Sequence, residues 1–198
     1  MNTRQNYLAL DLEFNHDDNA NISKIIQVGI AIGSISAIED IKTYKWYINP
    51  EEPVKPFITQ LTGITDQDIQ QYSVSHQQVA TDIQNLVQGY KTFANPVQWG
   101  MGDSAELKAE FKQRNIDFPC FGHREIDVKT IFTFIQTSQG RNVKGGLGSC
   151  MGRYRLTFKG QAHRADVDAY NTLIFYFELV KRQQRLEKLL QDAKKVLI

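Results

Sequence analysis

The stretch YLALDLEFN, residues 7–15, places two acids inside a predicted strand that is otherwise suited to burial. Successive side chains of a strand point to opposite faces, so the leucines and Phe14 share one face whereas Asp11 and Glu13 share the other. Two carboxylates about 7 Å apart and partly shielded from water repel one another, so their pKa values shift or a cation neutralises them. Acids are also common at solvated strand ends, and this stretch alone leaves both interpretations open.

The composition is that of a soluble globular protein. The chain has 198 residues, of which 41% are hydrophobic and 23% charged, and this predicts one domain over residues 1–198 with a substantial core. No segment reaches membrane-spanning length, and the N-terminus lacks the apolar core of a secretory signal, which predicts a cytoplasmic protein. Cys120 and Cys150 form no C-x-x-C pair, so we expect reduced thiols rather than a disulfide or a zinc site.

The net charge of the chain is +1, and this value says little about its partners. Basic residues concentrate only in the C-terminal segment VKRQQRLEKLLQDAKK, residues 180–195. A solvated helix face explains this segment better than a nucleic-acid-binding surface does, since two acids lie among its basic residues.

The order of predicted elements indicates an α/β protein. Three strand-like runs come first, and a Pro-marked connection then leads to an amphipathic helix. Short strands alternate with helices after that point, in PVQWG, DSAELKAEFKQRN and EIDVKTIFTFIQ. A meander followed by such alternation predicts a mixed sheet with helices on its faces, antiparallel early and parallel later. The predicted strands cover residues 7–14, 24–32 and 41–49, and the helix covers residues 74–90.

The last predicted helix runs over about residues 165–190 and begins just after His163, in GQAHRADVDAYNTL. Asp166 and Asp168 both lie in its first turn. On a helical wheel they fall on opposite edges of the apolar stripe, about 80° from its centre, so periodicity does not decide which acid faces the sheet. Favourable interaction with the helix dipole is a sufficient explanation for both acids.

Three different short motifs that contain acidic residues follow one another along the chain. The first is D-x-E, formed by Asp11 and Glu13. The second is an aspartate that opens a helix with an apolar residue four positions later, formed by Asp103 and Leu107 in WGMGDSAELKAEF. An LTGI-type loop, ITQLTGIT at residues 58–65, lies between these two motifs.

The third motif is a histidine, four residues and an aspartate, matched by His163 and Asp168. Taken together and in this order, the segments resemble the DEDDh family of 3′-to-5′ exonucleases, which contains polymerase proofreading subunits and ribonuclease T. The resemblance spans roughly residues 5–180, and three motifs in register are far more specific than a lone D-x-E. It implies that Asp166, inside the third motif, binds no metal.

This resemblance implies a ribonuclease-H-like fold, a five-stranded mixed sheet with the D-x-E strand at its centre. It also implies that Asp11, Glu13, Asp103 and Asp168 bind two divalent cations, Mg²⁺ with Mn²⁺ able to substitute. Hard cations prefer carboxylate oxygens, and two of them stabilise the charge that phosphodiester hydrolysis develops. His163 is implied as the general base, and histidine as a residue type is suited to accept a proton from an attacking water near neutral pH.

The resemblance further implies the ligand and the partners. Phe14, Thr62 and Ile64 would border the terminal base, although packing in the core explains Phe14 and Ile64 equally well. The expected substrate is a single strand or a 3′ overhang of RNA or DNA, with no membrane contact; a homodimer or a polymerase partner stays open. The alternatives are a proofreading exonuclease bound to a DNA polymerase and an inactive nucleic-acid-binding module, and retention of all five motif side chains disfavours the latter.

Overall fold

The chain folds around one five-stranded mixed sheet, in a computed structural model that describes residues 4–16 and 23–196. Its strands are β1 (Asn6–Asn15), β2 (Lys24–Ser34), β3 (Ala37–Tyr47), β4 (Val97–Gln98) and β5 (Ile126–Asp127). The strand order is β3-β2-β1-β4-β5. The first three strands pair antiparallel, whereas β4 lies parallel to β1 and to β5. The predicted mixed sheet with a central first strand is therefore confirmed.

Alternation along β1 sends its side chains into two separate cores. Leu8 and Leu10 pack in one apolar cluster, and Tyr7 and Ala9 pack in another on the opposite face of the sheet. The neighbouring β2 is buried along nearly its whole length, as expected for a strand covered on both faces. The alternation predicted for the YLALDLEFN stretch is thus present.

Helices cover both faces of the sheet. They are α1 (Pro56–Thr62), α2 (Asp66–Tyr72), α3 (His76–Tyr90), α4 (Asp103–Gln113), α5 (Val128–Ser138), α6 (Leu147–Arg153) and α7 (Ala165–Val196). Helices α5, α6 and α7 contribute to the cluster that contains Tyr7, and helices α3 and α4 contribute to the cluster that contains Leu8. A third, smaller cluster joins helices α1 and α2 to one end of β2 and β3.

Several element bounds differ from the sequence-based expectations. The short helices α1, α2 and α6 were not predicted, because seven residues carry too little apolar periodicity. The N-terminus of α2 is instead stabilised by a capping box that Thr65 and Asp68 form. The third strand occupies Ala37–Tyr47 rather than residues 41–49. Helix α7 continues to Val196 rather than ending near residue 190, since no glycine or proline stops it and its last turns are exposed.

Both cysteines are free thiols, as predicted. Cys150 is buried and Cys120 is half-buried, and burial raises the pKa of each thiol, to about 11 for Cys120. None of the helices in residues 4–16 and 23–196 combines the length and the apolarity needed to cross a membrane.

Candidate active site

The C-terminal half of β1 carries the first two acids of the site. Asp11 is half-buried and Glu13 is 8% exposed, and both lie on the sheet face that α7 covers. The regular pairing of β1 with β2 shifts directly after the second acid, between Glu13 and Phe14, where β2 carries one extra residue, Ile26. The two carboxylates are therefore positioned by the central strand of the sheet.

Asp103 reaches the same edge of the sheet by a different route. Helix α4 begins at Asp103 and follows β4, which is parallel to β1, so the chain enters α4 at the edge where β1 ends. Gly100 and Gly102 have φ angles of 99° and 123°, which permit the sharp turn between the two elements. The buried Gln98 holds the first turn of α4, because its Oε1 accepts the Ser104 N–H at 3.1 Å.

A close approach of α7 to β2 brings the third motif to the site. The Ala165 N–H donates to Oε1 of the fully buried Gln27 at 2.8 Å. A Cβ atom on Gly29 would lie 1.9 Å from the carbonyl carbon of Ala165, so only glycine permits this approach. Gln27 and Gly29 lie directly opposite Glu13 and Asp11 in the β1–β2 register. The first turn of α7 consequently sits beside the two β1 carboxylates.

The structure separates the two aspartates that the helical wheel could not distinguish. Asp168 lines the same cavity as Asp11, and its Oδ2 accepts the backbone N–H of His163 at 2.9 Å. Asp166 points the other way, toward Lys45 on β3, with 3.7 Å between Nζ and Oδ2. His163 itself has a φ angle of 61°, a left-handed conformation that turns the chain into α7.

Four of the five motif residues, Asp11, Glu13, His163 and Asp168, line a cavity of about 370 Å³. Asp103 lies outside this lining, but close enough for its charge to raise the pKa of Asp11. One ligand atom each from Glu13, His163 and Asp168 lie within 4.8 Å of one another, close enough to hold a metal ion together. The His163 side chain is exposed, whereas the carboxylates beside it are more buried. The opposite wall consists of Trp99, Phe158 and residues 146–149 at the start of α6.

The acids raise one another's pKa values. Burial, and then the charges of Asp103, Asp168 and Glu13, hold the pKa of Asp11 well above its usual range. Burial and the Asp168 and Asp103 charges raise the pKa of Glu13 to about 8, although the neighbouring Arg164 opposes this shift. The protein therefore places four carboxylates where they do not ionise easily on their own.

The other two acids follow the same pattern. Burial, with the charges of Glu125 and Glu106, raises the pKa of Asp103 to about 7. Burial also raises the pKa of Asp168, against the hydrogen bond from His163. A divalent cation would replace the missing positive charge, and carboxylate oxygens are the ligands that Mg²⁺ prefers. The donor set of this cavity thus fits divalent cations.

The three residues expected near the terminal base occupy different environments. Phe14 is half-buried and packs against the cluster that contains Leu8. Thr62 is 1% exposed, and its hydroxyl donates to the Ile58 carbonyl and accepts the Ile64 N–H. Ile64 is fully buried in the third cluster. Among their neighbours, Leu61 is 45% exposed and provides apolar surface on this segment.

Sequence reasoning missed several residues that shape the site. Gln27 and Gly29 hold α7, Arg164 sits beside Glu13, and Trp99 lines the cavity. A signal for two of them was present, since a polar residue and a glycine inside the apolar strand KIIQVGIAI indicate a close backbone approach. Arg164 and Trp99 carry no comparable signal, because their roles depend on tertiary packing.

Fold and site together define a nuclease-like protein, in which a mixed sheet with β1 at its centre presents a cluster of carboxylates and a histidine. The model of the exonuclease family, RNase T type, matches residues 8–176. The chain therefore belongs to this exonuclease family, as the order of its motifs predicted.

Two curated proteins show the relationship in sequence. The 3′-5′ exonuclease DinG of Bacillus subtilis (strain 168) is 25% identical over 191 residues, which cover 92% of this chain and 18% of DinG. A PolC-type DNA polymerase III of Streptococcus agalactiae is 28% identical over 181 residues, 90% of this chain and 11% of the polymerase. The chain thus spans less than a fifth of the length of either relative.

Solved structures share the fold. The nuclease domain of 3′hExo, described as a DEDDh family member bound to rAMP, superposes with a TM-score of 0.75 at 17% identity, covering 92% of this chain and 94% of that domain. Cell-death related nuclease 4 gives a TM-score of 0.76 at 20% identity, covering 91% of this chain and 65% of that protein. Escherichia coli Exonuclease I in complex with a dT13 oligonucleotide gives 0.68 at 17% identity, covering 94% and 43%.

Proposed function

We propose that this chain is a divalent-metal-dependent 3′–5′ exonuclease that hydrolyses the terminal phosphodiester bond of a nucleic acid and releases nucleoside 5′-monophosphates. The observation that carries the proposal is the convergence of four acids and His163, from β1, α4 and α7, on one edge of the sheet. Membership of the exonuclease family and the similarity to a named 3′-5′ exonuclease support it.

The carboxylates would hold two divalent cations, Mg²⁺ with Mn²⁺ as a substitute. Such ions, when bound, stabilise negative charge on the attacking, leaving and phosphoryl oxygens. Asp11, Glu13, Asp103 and Asp168 are the proposed ligands, because their raised pKa values indicate that they lack a compensating charge. The close approach at Gly29 and the hydrogen bond to Gln27 keep the α7 ligand in register with the β1 ligands.

His163 is the proposed general base. Its side chain is exposed in the cavity, and its backbone N–H is tied to Asp168, so the imidazole is held beside a ligand while it stays accessible to water. An imidazole titrates near neutral pH and suits removal of a proton from the attacking water. Burial of Glu13 and Asp168 leaves His163 as the exposed base in this group.

The proposed substrate is a single strand or a 3′ overhang, which is consistent with the rAMP and the dT13 oligonucleotide bound to two of the structural neighbours. Phe14, together with the segment around Thr62 and Ile64, remains our candidate neighbour of the terminal base. The two free cysteines are consistent with action in the cytoplasm, where thiols stay reduced.

A cleavage assay with matched RNA and DNA oligonucleotides tests this function. We expect the protein to shorten a 5′-labelled strand one nucleotide at a time with Mg²⁺, to release labelled mononucleotide from a 3′-labelled strand, and to do neither in EDTA. Cleavage at internal positions, or tight binding without Mg²⁺-dependent hydrolysis, would contradict the proposal. The second outcome would favour the inactive binding module.

A second candidate function is proofreading together with a DNA polymerase. The 28% identity to part of a PolC-type polymerase favours it, since the matched segment covers 90% of this chain. A preference for DNA with a mismatched 3′ terminus over a matched one would support this candidate. Equal rates on both ends, with faster hydrolysis of RNA, would favour a role in RNA trimming.

A further inference from the structure

A second, larger cavity lies outside the candidate active site. It has a volume of about 480 Å³ and lies between the C-terminal ends of α5 and α6 and the middle of α7. Three guanidinium groups line it, those of Arg141, Arg153 and Arg182, and its wall also includes Tyr154 and Leu186. No aspartate or glutamate is among the described residues that line this cavity. The cavity is therefore suited to a ligand that combines negative charge with apolar surface.

The three arginines are not equivalent. Arg153 donates to the carbonyl oxygens of Asn142 and Lys144, so it fixes the segment that precedes α6. The guanidinium carbon of Arg182 lies 4.4 Å from the ring centroid of Tyr154, and the same guanidinium group forms an ion pair with Glu178. The guanidinium groups of Arg153 and Arg182 are therefore already engaged in contacts that stabilise the fold.

Arg141 differs from the other two arginines. It is exposed, and its side chain forms no hydrogen bond or ion pair within the described part of the chain. Its guanidinium group is thus the charge in this cavity that a ligand can engage without breaking an existing contact.

Helix α6 connects this cavity to the candidate active site. Ser149 lines the active-site cavity, and Arg153 lines the basic cavity. Residues four positions apart lie on one face of a helix with about 6 Å between their Cβ atoms, and both of these residues are exposed. The segment that contains Arg141 and ends at Gly146 also runs from one cavity to the other. A strand rises about 3.4 Å per stacked nucleotide, so about two nucleotides bridge the gap along α6.

We propose that the basic cavity binds the nucleic-acid strand upstream of the 3′ terminus, with Arg141 contacting a backbone phosphate and the apolar wall receiving a base. The inference rests on the proposed exonuclease function, because that function places the 3′ end beside Ser149. A polyanion with planar apolar bases matches both the charge and the wall of the cavity. Longer strands then bind more tightly than the terminal dinucleotide alone.

The test compares strand lengths in two charge-reversal variants. Arg141→Glu changes the free arginine, and Lys42→Glu is the matched control, since Lys42 is exposed on β3, at the opposite edge of the sheet. Binding of 5′-fluorescein dT12 and U12 is measured by anisotropy in EDTA, and kcat and KM are measured with Mg²⁺ on dT12 and on the dinucleotide dTdT. The dinucleotide has a single phosphodiester bond and cannot occupy both cavities.

We expect Arg141→Glu to weaken dodecamer binding by about tenfold at low salt and to raise KM for dT12, while kcat and the dinucleotide kinetics stay unchanged. Arg141→Ala should lower the slope of log Kd against log salt by about 0.7, the value for one phosphate contact on a single strand. Lys42→Glu should leave each of these quantities unchanged.

Unchanged dodecamer binding in Arg141→Glu would overturn the inference and would leave the cavity to another ligand, such as an acidic protein segment. An equal loss for the dinucleotide would also overturn it, because the effect would then arise in the active site. Binding that depends on Arg141 in a protein that hydrolyses nothing would support the strand site and refute the exonuclease function.

Discussion

Asp11 and Glu13 lie on a strand face that also holds Tyr7 and Ala9 of the core, and this placement explains their raised pKa values. Their spacing in the sequence predicted that they share a face and repel. The spacing did not predict the strength of this repulsion, because Asp103 and Asp168 add their charges from elements about 90 and 155 positions further along the chain.

Removal of one carboxylate should separate activity from stability. Asp11→Asn should lower kcat by about a thousandfold, since a catalytic metal site contributes several kcal/mol to the transition state. In EDTA the same variant should gain about 1–3 kcal/mol in the free energy of unfolding, because one source of repulsion is gone. Cleavage rates and urea unfolding measure the two effects, and loss of activity together with loss of stability would contradict the metal-site role.

The metal-free protein should lose stability as pH rises. The pKa values of Glu13 and Asp103, about 8 and 7, lie above the usual 4.5 and 3.8, so the folded state holds protons that the unfolded state releases. The resulting stabilisation is complete below about pH 4 and is lost as pH rises through 7 to 8, at about 1.4 kcal/mol per group for each pH unit between its unfolded and folded pKa values. Urea unfolding in EDTA between pH 4.5 and 8.5 should show this decline, and saturating Mg²⁺ should remove it. A stability that rises with pH would refute the crowding of these carboxylates.

Loss of the His163 imidazole should slow the chemical step and leave binding nearly intact. His163→Ala should lower kcat about a hundredfold, the usual contribution of a positioned general base, while KM and Mn²⁺ affinity change little. The control is Asp166→Asn, which loses the partly exposed contact with Lys45 and the effect of the Asp166 charge on Asp168, and should stay active. An inactive Asp166 variant beside an active His163 variant would show that the third motif has been assigned to the wrong residues.

The contact between the start of α7 and β2 positions the third motif beside the β1 carboxylates. This close contact depends on Gly29, and the first N–H of α7 is accepted by Gln27. The sequence predicted the helix, the strand and their types from periodicity. It could not predict their contact, because no local pattern records which strand a helix crosses or at which residue.

Gly29→Ala tests this contact. The added Cβ would lie 1.9 Å from the Ala165 carbonyl carbon, so α7 must shift away from Asp11. We expect loss of about 1–3 kcal/mol in unfolding free energy, as for overpacked cores, and a Mn²⁺ affinity lower by about tenfold or more. Gly89→Ala in α3 is the matched control, because its Cβ meets nothing within 4 Å and alanine favours a helix there. Equal effects of the two substitutions would contradict the role of Gly29.

Sequence patterns were sufficient to predict the sheet of this protein but not its basic cavity. The mixed sheet was predictable, because alternation and element order are local signals that the antiparallel β1–β2–β3 pairing then satisfies. The central position of β1 was predicted from the family resemblance and not from these local signals. The basic cavity near Arg141 was not predictable, since it arises where the C-terminal ends of α5 and α6 meet the middle of α7. The C-terminal basic segment was predicted to be a plain solvated face, yet Arg182 and Leu186 contribute to that cavity.

We infer that the carboxylates of β1, α4 and α7 crowd together at one edge of the sheet because they hold divalent cations. Anomalous diffraction from crystals grown with Mn²⁺ and a nucleoside 5′-monophosphate would locate these cations. We expect two anomalous peaks about 4 Å apart, in contact with carboxylate oxygens of Asp11, Glu13, Asp103 and Asp168 and with the phosphate. Absence of peaks at this position, or peaks bound only by Asp166 or by surface acids elsewhere, would contradict the claim.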